Sequence, residues 1–96
     1  MDARAIIGWN LRELRVSQGL SQERLALAAG IDRAYIGRVE RGSENVTIAT
    51  LEAVAQVLKV PVAALLTEPD QGAPQPAPLR AGRRPKAAGT LPPRKA

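Results

Sequence analysis

The sequence predicts an all-α fold, a compact five-helix bundle over residues 1–67 followed by a disordered C-terminal tail over residues 68–96. Three observations carry this expectation. Aliphatic residues recur at three- and four-residue spacing through the first 67 positions, the period of one helix face. The runs are separated by Gly19, Gly30 and Gly42, and Ser21, Asp32 and Thr47 follow as residues suited to cap the next helix. Composition then changes near Glu68. The remaining stretch holds seven of the eight prolines and two large aliphatics, Leu79 and Leu91, too little apolar surface to offset its ordering entropy. Trp9 and Tyr35 are the only aromatics, so Leu, Ile, Val and Ala must fill the core, which suits close-packed helices better than stacked sheets.

The first helix is expected from about Ala3 to Gln18, with Ile7, Leu11 and Leu14 on one face and Gly19 as its left-handed stop. Ser21 caps the second, Gln22 to Ala29, which Gly30 ends after two turns. Asp32 caps the third, Arg33 to Arg41, ending at Gly42. After the polar loop Ser43-Glu44-Asn45-Val46, Thr47 caps a fourth helix whose inner stripe is Ile48, Leu51, Ala55 and Leu58. Pro61 suits the first turn of a short fifth helix through Leu66.

Composition narrows the function classes. Without Cys or His the chain offers no disulfide, no thiolate or imidazole metal ligand and no neutral-pH general base, so no metal, cofactor or enzymatic role is expected. No apolar run is long enough to span a bilayer, and Met1-Asp2-Ala3-Arg4 does not open a signal peptide, so a cytoplasmic, nucleoid-associated protein is expected. With one small domain expected, no small-molecule ligand is expected either. The net charge of +5 is unevenly placed. Residues 1–67 carry eight Lys/Arg against seven Asp/Glu, and residues 68–96 carry six against two. Arg80, Arg83, Arg84, Lys86, Arg94 and Lys95 of the tail either add non-specific affinity for phosphates or belong to a solvated linker without a partner.

The segment Gln22 to Arg41 carries the functional reading. Two short helices meet at a turn with one glycine. Leu25, Ala26 and Ala29 face inward from the first, and Ile36 and Val39 from the second, with Ile31 just after the turn. Ala26 is small because the second helix crosses over it, and Gly30 supplies the positive φ of a sharp turn. The outer face of that second helix, Arg33, Ala34, Gly37, Arg38 and Arg41, is left free.

These residues, with Gly19-Leu20-Ser21-Gln22, Gly30-Ile31, Tyr35-Ile36, Val39-Glu40-Arg41-Gly42, Leu51, Ala55 and Leu58, resemble the lambda-repressor/Cro-like helix-turn-helix family, also called the xenobiotic-response-element family, over residues 6–66. More narrowly, Ile31-Asp32-Arg33-Ala34-Tyr35-Ile36, Glu40-Arg41 and Asn45-Val46-Thr47-Ile48 resemble the controller proteins of restriction–modification systems, although many small regulators share that run.

The resemblance implies a Cro/C1-type domain at residues 1–67 that binds double-stranded DNA, with the third helix in the major groove. It makes Arg33, Ala34 and Arg38 the base-reading candidates: guanine for the arginines, a thymine methyl for Ala34. Gly37 allows close approach to DNA or is simply tolerated at a solvent position. Ser21 and Gln22 match a phosphate clamp at a helix N-terminus. Arg41 and Asn45 are expected to contact the backbone, and Tyr35 either donates its hydroxyl to a phosphate or packs on the domain surface. Arg15 and Glu40 match an ion pair that bridges the first helix to the end of the third, orients the third helix and places Arg15 near a phosphate, the alternative being an exposed pair of little worth, while Arg12 is expected on the solvent face.

One recognition helix reads few base pairs, so a homodimer on two half-sites is expected. Val57, Val60, Val62, Leu65 and Leu66 look like more apolar surface than so small a domain can bury, and are read as the two-fold interface. The resulting function is a transcriptional regulator on a palindromic operator. The alternative is an antitoxin or anti-regulator that keeps the fold but grips a protein, supported by Trp9 and Val16 seven apart on the outer face of the first helix.

Overall fold

Helix starts in this protein are set by short polar side chains. In the computed structural model, which describes residues 1–69, four of the five helices have a side-chain N-cap. Asp2 accepts from the Ala5 amide (2.9 Å) to begin α1, Ala3–Ser17. Ser21 accepts from Arg24 (3.0 Å) at the head of α2, Gln22–Ala29, and Asp32 from Ala34 (3.0 Å) at the head of α3, Arg33–Glu40. Thr47 does the same from Thr50 (3.1 Å) for α4, Ile48–Leu58. Each cap satisfies an amide that the first helical turn leaves without a partner. α5, Ala63–Leu66, is a single turn without a side-chain cap; Pro61 and Val62 lead into it through tight bonds from Ala64 N to Pro61 O and Leu65 N to Val62 O, both 2.9 Å. No strand occurs among the described residues. The tail expected over residues 68–96 lies outside the described residues from position 70 onward.

The apolar stripes converge on one core: Ile7 and Leu11 from α1, Leu25 and Ala26 from α2, Ile36 and Val39 from α3, Leu51, Val54, Ala55 and Leu58 from α4, and Leu65 from α5. α1 packs on α3 and α5, and α2 on α3 and α4. Gly30 takes φ 71°, as the turn between α2 and α3 requires. α1 and α3 meet backbone to backbone at Gly8. A Cβ there would sit 2.5 Å from the Val39 carbonyl oxygen and 2.7 Å from that of Glu40, so only glycine fits.

Two polar side chains finish the bundle. Asn10, buried on α1, donates its amide to the carbonyls of Leu65 (2.9 Å) and Thr67 (2.7 Å) and ties down the last turn. Gln18 donates to Leu58 O (2.8 Å), meeting a free carbonyl at the end of α4. α4 itself ends on Lys59, whose φ of 59° is left-handed without the help of glycine.

Two expectations are corrected. Ile48 is 67% exposed and Val54 takes its place on the inner stripe, because a first-turn side chain leans toward the helix N-terminus and past the core. Leu65 is fully buried among the core residues of its own chain, so it has no surface to give a dimer. Val57, Val60 and Val62 are half-buried against that core, leaving Leu66, 47% exposed, as the open member of the group.

Candidate nucleic-acid interface

α3 is pressed into the bundle along one side and bare along the other. Ile36 and Val39 anchor it from behind, while Arg33, Ala34 and Arg38 are exposed in front. The cap by Asp32 fixes where the helix begins and therefore which residues stand in its first turn. Arg33 forms no hydrogen bond or ion pair among the described residues, so its guanidinium is free for a ligand. Arg38 is already engaged: its Nε donates to Glu44 Oε1 at 2.8 Å, and its guanidinium lies 5.6 Å from the centre of the Tyr35 ring. The bond to the Glu44 carboxylate raises the Arg38 pKa above its ordinary value, so this residue stays charged.

Gly37 is buried rather than at a solvent position. The Arg41 guanidinium and the Gln22 amide lie over it, 3.4 and 3.8 Å from where a Cβ would stand. Tyr35 is half-buried, its ring packed against the core. Ser21 is exposed at the head of α2 beside half-buried Gln22, and Asn45 is exposed in the loop after α3.

α3 is held in place by a buried ionic knot. Arg15 is 5% exposed and grips Glu40 with two bonds, Nε to Oε2 at 2.6 Å and Nη2 to Oε1 at 3.0 Å. Its remaining Nη1 donates to Leu20 O at 2.8 Å, and Gln22 Nε2 adds a bond to Glu40 Oε1 at 3.0 Å. The pair thus joins α1, the head of α2 and the end of α3. Arg15 has all three of its nitrogens in use and is buried, so it is not displayed to a phosphate as expected.

Arg12 is not on the solvent face either. With Trp9, Gly8, Glu40, Arg41 and Gly42 it lines a cleft between α1 and the end of α3, and its Nε is buried without a hydrogen-bond partner among the described residues. Trp9 and Val16 are half-buried, so the outward apolar face expected of them is partly covered.

Two short helices crossing at a left-handed glycine, one capped toward the surface and one bare along its cationic side, make a helix-turn-helix. A family model described as helix-turn-helix, HTH_3, matches residues 11–65. The chain belongs to this family.

HTH_3 relatives are transcription regulators and controller proteins. Control protein C.SmaI of Serratia marcescens is 46% identical over 67 residues, which span 70% of this chain and 80% of that protein. The crystal structure of the restriction–modification controller C.AhdI from Aeromonas hydrophila superposes with a TM-score of 0.63 at 44% identity, covering 65% of this chain and 94% of that one. A structure of SinR, the master regulator for biofilm formation, in complex with DNA has a TM-score of 0.62 at 37% identity, over 64% of this chain and 98% of that one.

Sequence reasoning did not single out Glu44, Gly8 or Asn10. Glu44 lies six residues beyond Arg38, outside the three- and four-residue spacings that flag ion pairs within a helix. Gly8 and Asn10 act at contacts between α1 and residues 31 to 57 positions away, which no local pattern announces.

Proposed function

We propose that this HTH_3 protein is a transcriptional regulator that binds double-stranded DNA sequence-specifically as a homodimer on a palindromic operator in the cytoplasm. One observation carries the reading: α3 is locked from behind by Ile36, Val39 and the Arg15–Glu40–Gln22 knot, and offers Arg33, Ala34 and Arg38 on an open face. Such a helix fits the major groove, where a planar guanidinium meets the O6 and N7 of guanine and a methyl group meets thymine. Ser21 and Gln22 at the head of α2, with Arg41 and Asn45 beyond α3 and the Tyr35 hydroxyl beside it, would hold the phosphate backbone on either side. The SinR–DNA complex lends support from a relative of the same fold.

The dimer is assigned to Leu66 of α5 together with Val57 of α4 and Val60 and Val62 of the link between them, which remain partly accessible. Selection of bound sites from random duplexes tests the whole reading. The expected result is two inverted half-sites with centres about one helical turn apart. Recovery of no enriched motif overturns sequence-specific binding, and a single half-site overturns the dimer.

A further inference from the structure

We propose that Glu44 is a specificity-determining residue: it holds Arg38 in the free protein and yields it to a guanine edge more readily than to a phosphate. This rests on the DNA-binding reading above. The latch is built by the way α3 ends. Gly42 turns left-handed (φ 75°), its amide donates to Val39 O (3.0 Å), and the Ser43 amide donates to the carbonyl of Arg38 itself (3.0 Å), the paired bonds of a Schellman turn. Ser43 Oγ adds a further bond to that carbonyl at 3.1 Å. The chain is thereby folded back over Arg38, and the next residue, Glu44, is delivered to its guanidinium with Nε–Oε1 at 2.8 Å. Tyr35 flanks the guanidinium with its ring. Arg33, also exposed and five residues earlier on α3, has no such partner among the described residues. The two base-reading arginines are therefore unequal.

The exchange chemistry gives the latch its selectivity. A phosphate oxygen offers Arg38 the same kind of charge-assisted bond that the carboxylate already supplies, so trading one for the other gains little. Guanine offers two acceptors, O6 and N7, spaced to meet a guanidinium with two bonds at once. Release of Arg38 also leaves the Glu44 carboxylate beside a polyanion, a penalty paid on every sequence and offset only where the two base bonds form. The side chains of Arg38 and Glu44 are 45% and 27% exposed, so the restraint is mild and reversible.

Glu44→Gln is the test, read on a selected operator and on random duplex over a range of salt. The expected result is tighter binding to random duplex by about 2- to 5-fold, a salt dependence steeper by about 0.9 in log–log slope as Arg38 gains a phosphate, and a smaller gain on the operator. The ratio of the two affinities therefore falls. In an Arg38→Ala background, Glu44→Gln is expected to leave that ratio unchanged. The Arg38 Nε–H resonance of the free protein should shift on Glu44→Gln, which reads the latch without DNA. An unchanged ratio in the single variant, an equal fall in the Arg38→Ala background, or an Nε–H resonance indifferent to the substitution overturns the proposal. Wild-type protein that binds no duplex overturns the DNA reading and with it this role for Glu44, whatever the resonance does.

Discussion

Arg33 stands exposed in the first turn of α3 with no partner among the described residues, and Ser21 caps the first turn of α2, so the two should fail differently when removed. Arg33→Ala is expected to cost about 1–3 kcal/mol on the selected operator and to relax the preference at one base pair. Ser21→Ala should weaken binding to operator and random duplex alike, since a phosphate contact carries no sequence information. Titrations of both variants on both duplexes check this; an equal loss on the two DNAs for Arg33→Ala removes it from the base readers. Gly8 gives a prediction of opposite sign to propensity. Alanine is the better helix former by about 1 kcal/mol, but a Cβ placed 2.5 Å from the Val39 carbonyl forces α1 and α3 apart. Overpacking of this kind costs about 1–3 kcal/mol. Gly8→Ala should therefore lower the midpoint of denaturant unfolding, and a higher midpoint would show that the crossing can relax.

At the scale of elements, α1 and α3 are joined by a two-bond ion pair whose side chains are 6% and 3% exposed. Removing one partner strands the other charge in a poorly solvated site. Arg15→Met is accordingly expected to destabilise the fold by about 3–5 kcal/mol, and Glu40→Gln with Arg15 intact should also be destabilising. Chemical denaturation of the two single variants and the double variant measures the coupling, and a pair that behaves additively is not a lock.

The helix boundaries were legible because they are local. Ser21, Asp32 and Thr47 as caps, and Gly30 as a left-handed turn, each act within four residues of their own position. The Arg15–Glu40 pair was legible through the family resemblance. On the inner stripe of α4, periodicity places Leu51, Ala55 and Leu58 correctly but includes Ile48 and omits Val54, since it cannot see that Ile48 stands where the core has already ended. Lys59 is the other local miss. Its left-handed backbone closes α4 at a residue whose type favours a right-handed one, held by the turn bonds Lys59 N to Gln56 O (3.2 Å) and Val60 N to Ala55 O (3.0 Å) and by the packing of Val60 against the core. In the candidate site, the outward arginines of α3 were readable from helical phase, whereas the engagement of Arg38 by Glu44 depends on a turn geometry that emerges only once the chain is folded.

For the molecule as a whole, residues 1–67 are nearly charge-balanced, so two copies can meet without strong mutual repulsion. Sedimentation at micromolar concentration is expected to report a dimer, and Leu66→Glu a monomer with unchanged helical content. A wild-type monomer both with and without operator overturns the two-fold model. Cutting the chain after Thr67 removes six Lys/Arg and two Asp/Glu. A shallower salt dependence would assign those cations to the DNA backbone, and an unchanged one would assign them to a linker.

Asn10 carries a different consequence, one of timing. Its two acceptors lie 55 and 57 residues further along. While the chain is being synthesised, the first helix can coil as soon as it emerges, yet its buried amide has nothing to bind until almost the whole bundle has left the ribosome. The last turn should therefore dock onto α1 only when the whole bundle is out, after the Arg15–Glu40 pair has already been able to join α1 to α3.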